Sequence, residues 1–136
     1  MHKIKILAFF ACLSIGAAGQ KSIDPDKLPL VPYKPSIQGL YSQNQIRIAN
    51  IFSQGLKVIL ADTTFKVIQF DVVYDCHSRS VFDFDVKRYY GNKVDPKDDY
   101  LRRRILAGDV MDIANTIIEK NGVRYRMKEF SFIVTN

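Results

Sequence analysis

The chain has 136 residues, of which 47% are hydrophobic and 25% are charged, and its formal net charge is +6 at pH 7. This composition is that of an ordinary globular protein, and the length excludes two full domains. No solenoid-type repeat or low-complexity tract is present, so we expect one folded domain.

The first 19 residues have the features of a secretory signal peptide. Lys3 and Lys5 lie near its start, and an apolar run extends from Ile6 to Ile15. Small residues follow, and we predict cleavage just before Gln20. The run is shorter than the roughly 20 residues of a membrane-spanning helix. We therefore predict an exported protein, periplasmic or secreted, without a transmembrane span after removal of residues 1–19. Cys12 leaves a second interpretation open, in which the preceding residues form a lipobox and the cysteine is lipidated.

Residues 20–40 contain four of the five prolines in the chain. Their spacing of three or four residues blocks a helix and favours an extended backbone, so we interpret this stretch as a tether. It either holds the domain away from another structure or lies along the domain surface. The apolar residues between the prolines favour the second alternative. The domain itself is predicted to span residues 41–136.

The centre of this domain is a predicted pair of strands between Phe65 and Asn92. Residues in both segments alternate with the period of two that gives a strand one dry and one wet face. The residues assigned to the dry face are Lys66, Ile68, Phe70, Val72, Tyr74 and Cys76 in the first strand and Phe82, Phe84 and Val86 in the second. Those assigned to the wet face are Gln69, Asp71, Asp75, Asp83, Asp85 and Lys87.

Two short helices are predicted beside this pair. The capping-box pattern from Ser42 to Gln45 predicts a helix over 43–53 that ends at Gly55, although the alternation of Ile46 and Ile48 also fits a strand.

The second helix is predicted over 96–107. Asp95 is its expected N-cap, and its buried face is expected to contain Leu101 and Ile105, with Leu106 beside them.

Further strands are predicted over 55–61, 109–118 and 123–134. Asn121 and Gly122 form a typical hairpin turn between the last two, and a change of parity predicts a bulge or bend near Glu129. Because short turns join most of these strands, we predict a mainly β fold. The expected architecture is a small antiparallel β-sandwich with one or two short helices.

The sequence contains no constellation that indicates catalysis. It has no Ser/His/Asp set, no glycine-rich phosphate loop and no zinc-ligand spacing. The aspartates of the central pair lack the glycine-containing loop of a calcium site, and adjacent Cys76 and His77 would point to opposite faces of a strand. We therefore predict a non-enzymatic protein without a cofactor or metal.

Basic and aromatic side chains are the candidates for partner binding. The basic stripe comprises Arg124, Arg126 and Lys128 of the last predicted strand, and Arg102 and Arg103 lie on the second helix. In an exported protein such residues favour an acidic partner protein or an anionic surface over nucleic acid, and an ordinary solvated face is the alternative.

Two adjacent tyrosines indicate a different kind of site. Tyr89 and Tyr90, if exposed, could contact a ligand or a glycan.

Several short motifs also follow one another in a recognisable order. They are Gly39, Ser42 and Gln45, then Gly55-Leu56-Lys57-Val58, the strand from Phe65 to Phe70, the Gly91-Asn92 turn, Ala107-Gly108-Asp109 with Ile113, Asn115 and Ile117, and the basic-aromatic final strand. In this order, from about Ser36 onward, the chain resembles the C-terminal periplasmic domain of GldM, the shaft component of the gliding-motility and type IX secretion machinery of Bacteroidetes.

The resemblance implies an immunoglobulin-like β-sandwich that acts through protein contacts, with no cofactor or catalytic residue. The implied partners are envelope proteins, among them secretion or motility components. We thus expect a stand-alone, exported interaction module of the bacterial cell envelope. The alternative is a small periplasmic or secreted domain that binds a ligand or glycan.

Overall fold

The computed structural model of the chain describes residues 23–42, 44–75 and 84–136. The predicted signal peptide, the lipidation of Cys12 and the predictions for Cys76, His77, Phe82 and Asp83 lie outside these ranges, as do those for the side chains of Asp75 and Phe84.

The described residues form a mainly β fold. The strands are β1 Ser36–Ile37, β2 Gln45–Arg47, β3 Leu56–Ile59, β4 Lys66–Asp75, β5 Phe84–Tyr90, β6 Lys93–Val94, β7 Val110–Lys120, β8 Val123–Arg126 and β9 Phe130–Thr135. The helices are α1 Ile48–Gln54 and α2 Asp99–Arg104, and a 3-10 turn spans Pro25–Lys27.

The strands make two sheets. The large sheet has the order β2-β9-β7-β4-β5, with β8 also paired to β7, and the small sheet has the order β1-β3-β6. All strand pairs are antiparallel except β2 with β9. This arrangement confirms the predicted small, mainly β sandwich with two short helices.

The core lies between the inner face of the large sheet and the small sheet with both helices. Apolar side chains from all of these elements form one buried cluster, which includes Phe70, Val72, Ile113 and Phe132 of the large sheet, Ile37, Leu56 and Val58 of the small sheet, and Ile51 and Leu101 of the helices. Burial of each such side chain contributes about 1.5–3 kcal/mol before the entropy cost of folding.

The predicted wet face of β4 is wrong. Gln69 is 0% exposed and Asp71 is 3% exposed. Side chains of the neighbouring strands flank them: Tyr90 and Ile117 pair in register with Gln69, and Arg88 and Asn115 bind Asp71. At the exposed start of β4, Lys66 lies outside the core, and Ile68 is only partly buried.

The predicted faces of β5 are reversed. Residues that pair across an antiparallel ladder share a face, and Val72 pairs with Lys87 while Phe70 pairs with Tyr89. The inner face of β5 therefore carries Lys87 and Tyr89, and Val86 is 45% exposed on the other face.

Helix α1 begins five residues later than predicted. Ser42 and Asn44 have positive φ angles of 47° and 59°. Gln45 belongs to β2 and pairs with Ile133 of β9, so the predicted capping box does not form. The alternative strand prediction holds for residues 45–47. The helix ends at Gly55 as predicted, where the Gly55 N–H donates to the Ile51 carbonyl at 2.8 Å.

Helix α2 begins at Asp99, and its N-cap is Asp98. The Asp98 carboxylate accepts from the Leu101 N–H at 2.8 Å, whereas Asp95 accepts from the Lys97 N–H in the preceding turn. The prediction that Asp95 caps the helix is therefore wrong. Leu101 is buried as predicted, and Ile105 just after the helix is buried too.

Leu106 was expected beside this buried face but is exposed, because the backbone becomes extended at Ile105.

The last strands follow the prediction closely. Asn121 and Gly122 have φ angles of 54° and 75°, which a tight hairpin between β7 and β8 requires. The chain bends at residues 127–129 between β8 and β9, beyond which Phe130 and Phe132 point into the core.

Residues 23–40 lie along the domain. The Val31 N–H donates to the Arg126 carbonyl at 2.9 Å, and the Arg126 N–H donates to the Pro29 carbonyl at the same distance. Residues 29–31 thus cover the outer edge of β8, the second of the two alternatives left open for this stretch. Within the described ranges, no helix has the length and apolarity needed to cross a membrane.

Candidate interaction surface

The outer edge of β5 is the longest unpaired strand edge of the large sheet within the described ranges. Among the residues that the structure describes, β5 is the last strand in the sheet order, and its one strand partner is β4. Backbone groups of an antiparallel strand point alternately toward and away from the neighbour, and the hydrogen bond from Gly91 N–H to the Ile68 carbonyl at 2.7 Å fixes this alternation. The backbone N–H and C=O groups of Val86, Arg88 and Tyr90 therefore point away from β4.

One of these groups is already satisfied. The Val86 N–H donates to the Asp85 carboxylate at 2.9 Å, which protects this part of the edge. The open part of the edge is thus centred on Arg88 and Tyr90.

The other strand edges in the described part of the chain are shorter or covered, so they offer fewer free backbone groups to a partner. The outer edge of β8 is covered by residues 29–31, β2 has three residues, and β1 and β6 have two each. β5 has seven residues.

The side chains of the edge residues lie on the outer face of the large sheet, the face turned away from the small sheet. Val86 and Tyr90 are each 45% exposed there. Between them Arg88 is fixed by Asp71, which accepts from Nε at 2.7 Å and from Nη2 at 3.0 Å and also from Asn115 Nδ2 at 3.0 Å. Hydrogen bonding to Asp71 raises the pKa of the Arg88 guanidinium. The network holds β5, β4 and β7 together at this point.

The basic stripe is partly neutralised. Arg124 Nε donates to Glu119 at 2.9 Å, and Arg126 Nη1 lies 3.9 Å from the Asp26 carboxylate. Lys128 is exposed and has no ion-pair partner among the residues the structure describes.

The two candidate arginines of α2 differ in their surroundings. Arg102 donates to the backbone carbonyls of Pro96 at 2.7 Å and Phe52 at 2.9 Å, so it ties α2 to α1. Arg103 extends into solvent and pairs with Asp99 at 3.1 Å. Of the two, Arg103 is the more accessible to a partner.

Tyr89 and Tyr90 point to opposite faces of β5. Tyr90 is exposed, but Tyr89 is buried on the inner face, and the expectation that it is exposed is wrong. Its hydroxyl lies 3.1 Å from the Tyr74 hydroxyl and donates to Asp98 at 3.2 Å. Burial raises the pKa of Tyr89 to about 12 and raises the pKa of Tyr74 further.

Of the four aspartates predicted on the wet faces of the central pair, the two whose side chains the structure describes each pair with an arginine. Asp71 binds Arg88, and Asp85 lies 3.0 Å from Arg104. No group of three or more metal-ligating side chains occurs in the described part of the chain.

Two concave regions flank the large sheet. A groove of about 490 Å³ is lined by Lys57, Phe65, Lys66 and Asn92 among others. A smaller cavity of about 260 Å³ lies beside β8, and its walls include Leu30, Asn115, Arg126, Lys128 and Glu129.

The edge of β5 was not among the candidate sites predicted from the sequence. A usable signal was present, because Lys87 and Arg88 place two charges in the middle of a strand, as is typical of edge strands. The pairing of Arg88 with Asp71 depends on strand register, which the sequence alone does not reveal.

No known family model matches this chain, and no curated protein matches it at a significant level.

Proposed function

We propose that this protein is an exported, non-enzymatic interaction module of the bacterial cell envelope whose partner adds an extended segment to the edge of β5. The observation that carries the proposal is the open backbone of Arg88 and Tyr90 at the end of the large sheet. The resemblance to the GldM C-terminal domain supports envelope proteins, including secretion or motility components, as partners.

An added strand would gain its affinity from backbone hydrogen bonds and its specificity from side chains on alternate positions. Val86 and Tyr90 offer apolar contacts to such a strand on the outer face. Arg88 is already held by Asp71, so its backbone needs little further ordering on binding.

Site-specific photo-crosslinking in the cells that produce the protein tests this proposal. A photoreactive residue replaces Tyr90 in one variant and Val123 in the matched control, since Val123 is 48% exposed but lies on β8. We expect a discrete adduct from position 90 and none from position 123.

A second variant tests the role of the backbone. Tyr90→Pro removes the outward N–H, and proline is tolerated at an edge where the lost donor faces solvent. Placed in a chain that carries the crosslinker at position 86, it should abolish the adduct while the circular dichroism spectrum is retained. Equal adducts from positions 90 and 123, or an adduct at 86 that survives Tyr90→Pro, would contradict docking at β5.

The groove of about 490 Å³ favours a second candidate function, binding of a small ligand or glycan. Its volume is within the usual range of small-molecule sites, and Phe65 supplies an aromatic surface. Phe65 also contacts Tyr125 edge to face at 5.8 Å. Saturable shifts of the Phe65 and Asn92 NMR signals with an envelope glycan would favour this function over strand docking.

A further inference from the structure

The cavity beside β8, here called the Arg126 cavity, contains a charged donor without an acceptor. Arg126 Nε is buried and has no hydrogen-bond partner in the part of the chain that the structure describes. The Asp26 carboxylate lies 3.9 Å from Nη1, which is beyond hydrogen-bond distance, and it is largely exposed to solvent. An unsatisfied donor on a guanidinium is costly, so an acceptor bound at this place would be stabilised.

A second unsatisfied group lies in the same row of the outer face. Gln69 pairs in register with Ile117, and Ile117 pairs with Arg126, so the three side chains lie side by side across β4, β7 and β8. Gln69 is 0% exposed, and both polar atoms of its amide lack a partner among the described residues. Two unsatisfied side chains therefore flank Ile117, and one of them, Arg126, lines the cavity.

The charges on the cavity wall favour an anion. Arg126 and Lys128 outnumber the one carboxylate, Glu129, and neither cation forms an ion pair with Glu129 within the described ranges. Glu129 instead lies near Asp112, and burial together with that neighbour raises the pKa of the Glu129 carboxyl.

The volume of the cavity and the residues of its wall limit the size and the charge of the anion that can bind. A volume of about 260 Å³ is below that of typical small-molecule pockets, so the cavity fits a single functional group or a small acid. Glu129 would repel a dianionic phosphate more strongly than a singly charged group. A guanidinium fork matches the geometry of a carboxylate.

We propose that the Arg126 cavity binds a carboxylate, with Arg126 donating from Nε and Lys128 supplying a second positive charge. The carboxylate belongs either to an acidic side chain of a polypeptide or to a small free acid. Binding here is independent of strand docking at β5, so either can fail without the other.

NMR of the nitrogen-15-labelled full chain provides the test. The Nε–H signal of Arg126, assigned by its loss in Arg126→Gln, is followed during titration with acetate and with the blocked tripeptide N-acetyl-Gly-Glu-Gly-amide. Chloride at the same ionic strength is the control. We expect a saturable shift with acetate or the tripeptide and none with chloride.

Variants assign the shift to the cavity. Arg126→Gln lacks the Nε–H reporter, so its binding is followed by the backbone amide signals of Lys128 and Glu129, and it should weaken binding about ten- to hundredfold, since a charge-assisted hydrogen bond is lost. Arg124→Gln is the matched control on the same strand and should leave affinity unchanged, because Arg124 is held by Glu119. Glu129→Gln should strengthen binding about two- to fivefold by removing a repulsive charge. This gain does not depend on whether Arg126→Gln folds.

The two sources of the carboxylate give different titrations. Tighter binding of the tripeptide than of acetate assigns the cavity to acidic side chains, and equal binding assigns it to free acids. The proposal is overturned if neither probe gives a saturable shift, if chloride gives the same shift, or if Glu129→Gln weakens binding.

Discussion

Arg88 holds Asp71 through two parallel hydrogen bonds on the outer face of the large sheet, at 2.7 and 3.0 Å. Replacing Arg88 with Met would leave a carboxylate that is 3% exposed with Asn115 as its remaining side-chain donor. We expect the free energy of unfolding to fall by about 2–3 kcal/mol, measured by urea denaturation. Arg103→Met is the control, because its pair with Asp99 is solvent-exposed and should contribute less than about 1 kcal/mol. Equal losses in both variants would show that the buried pair has no special role.

Gly55 is required both for its positive φ and because no space is left for a Cβ atom. A comparison with Gly122 separates these two reasons. Its φ is +75°, and a Cβ atom there would lie 2.0 Å from the Val94 carbonyl oxygen. Gly122 has the same φ but nothing within 4 Å of the corresponding position. We expect Gly122→Ala to cost about 1–2 kcal/mol for the left-handed backbone alone. Gly55→Ala should cost about 1–3 kcal/mol more because of the clash, as measured by thermal unfolding. Similar costs would mean that the β6 backbone moves aside freely.

The N-cap of α2 can be identified by comparing two aspartates. Asp98→Ala removes the acceptor for the Leu101 N–H and should lower the free energy of unfolding by about 1–2 kcal/mol. Asp95→Ala removes only the turn contact to the Lys97 N–H and should cost less than about 1 kcal/mol. Chemical denaturation followed by circular dichroism measures both. A larger loss for Asp95→Ala would restore the cap predicted from the sequence.

Tyr89 should make stability decrease in alkaline solution. Burial raises its pKa to about 12, whereas a tyrosine in the unfolded chain ionises near pH 10. Between these values the folded state retains a proton that the unfolded state has released, so the free energy of unfolding falls as the pH rises from about 10 to about 12.

Tyr89→Phe should reduce this decrease and remove one late step from the absorbance titration of tyrosinate. Tyr90→Phe is the matched control, since Tyr90 is exposed on the other face, and Tyr89→Phe should change the slope more than this control does. An equal effect of both variants would contradict the burial of the Tyr89 hydroxyl.

Features governed by local backbone chemistry could be predicted from the sequence. The Asn121-Gly122 turn and the stop at Gly55 depend on positive φ angles that few residue types adopt, so the residue type itself is informative. The predicted alternation of buried and exposed residues from Phe130 to Val134 is confirmed, because β9 has one face in the core.

Features that depend on distant partners could not be predicted. Period-two alternation shows that a strand has two faces, but the buried one is decided by register, and Lys87 lies inward because it pairs with Val72. Asp98, which caps α2 in place of Asp95, also accepts from the Tyr89 hydroxyl, a partner on a different element. The open edge of β5 likewise follows from the order of strands in the sheet.

The parallel pairing of β2 with β9 has a consequence for the synthesis of the chain. Gln45 through Arg47 find their partners in Ile133 through Thr135, nearly at the other end of the sequence. Strand β2 therefore stays without its partner in the large sheet until residues 130–135 have been synthesised.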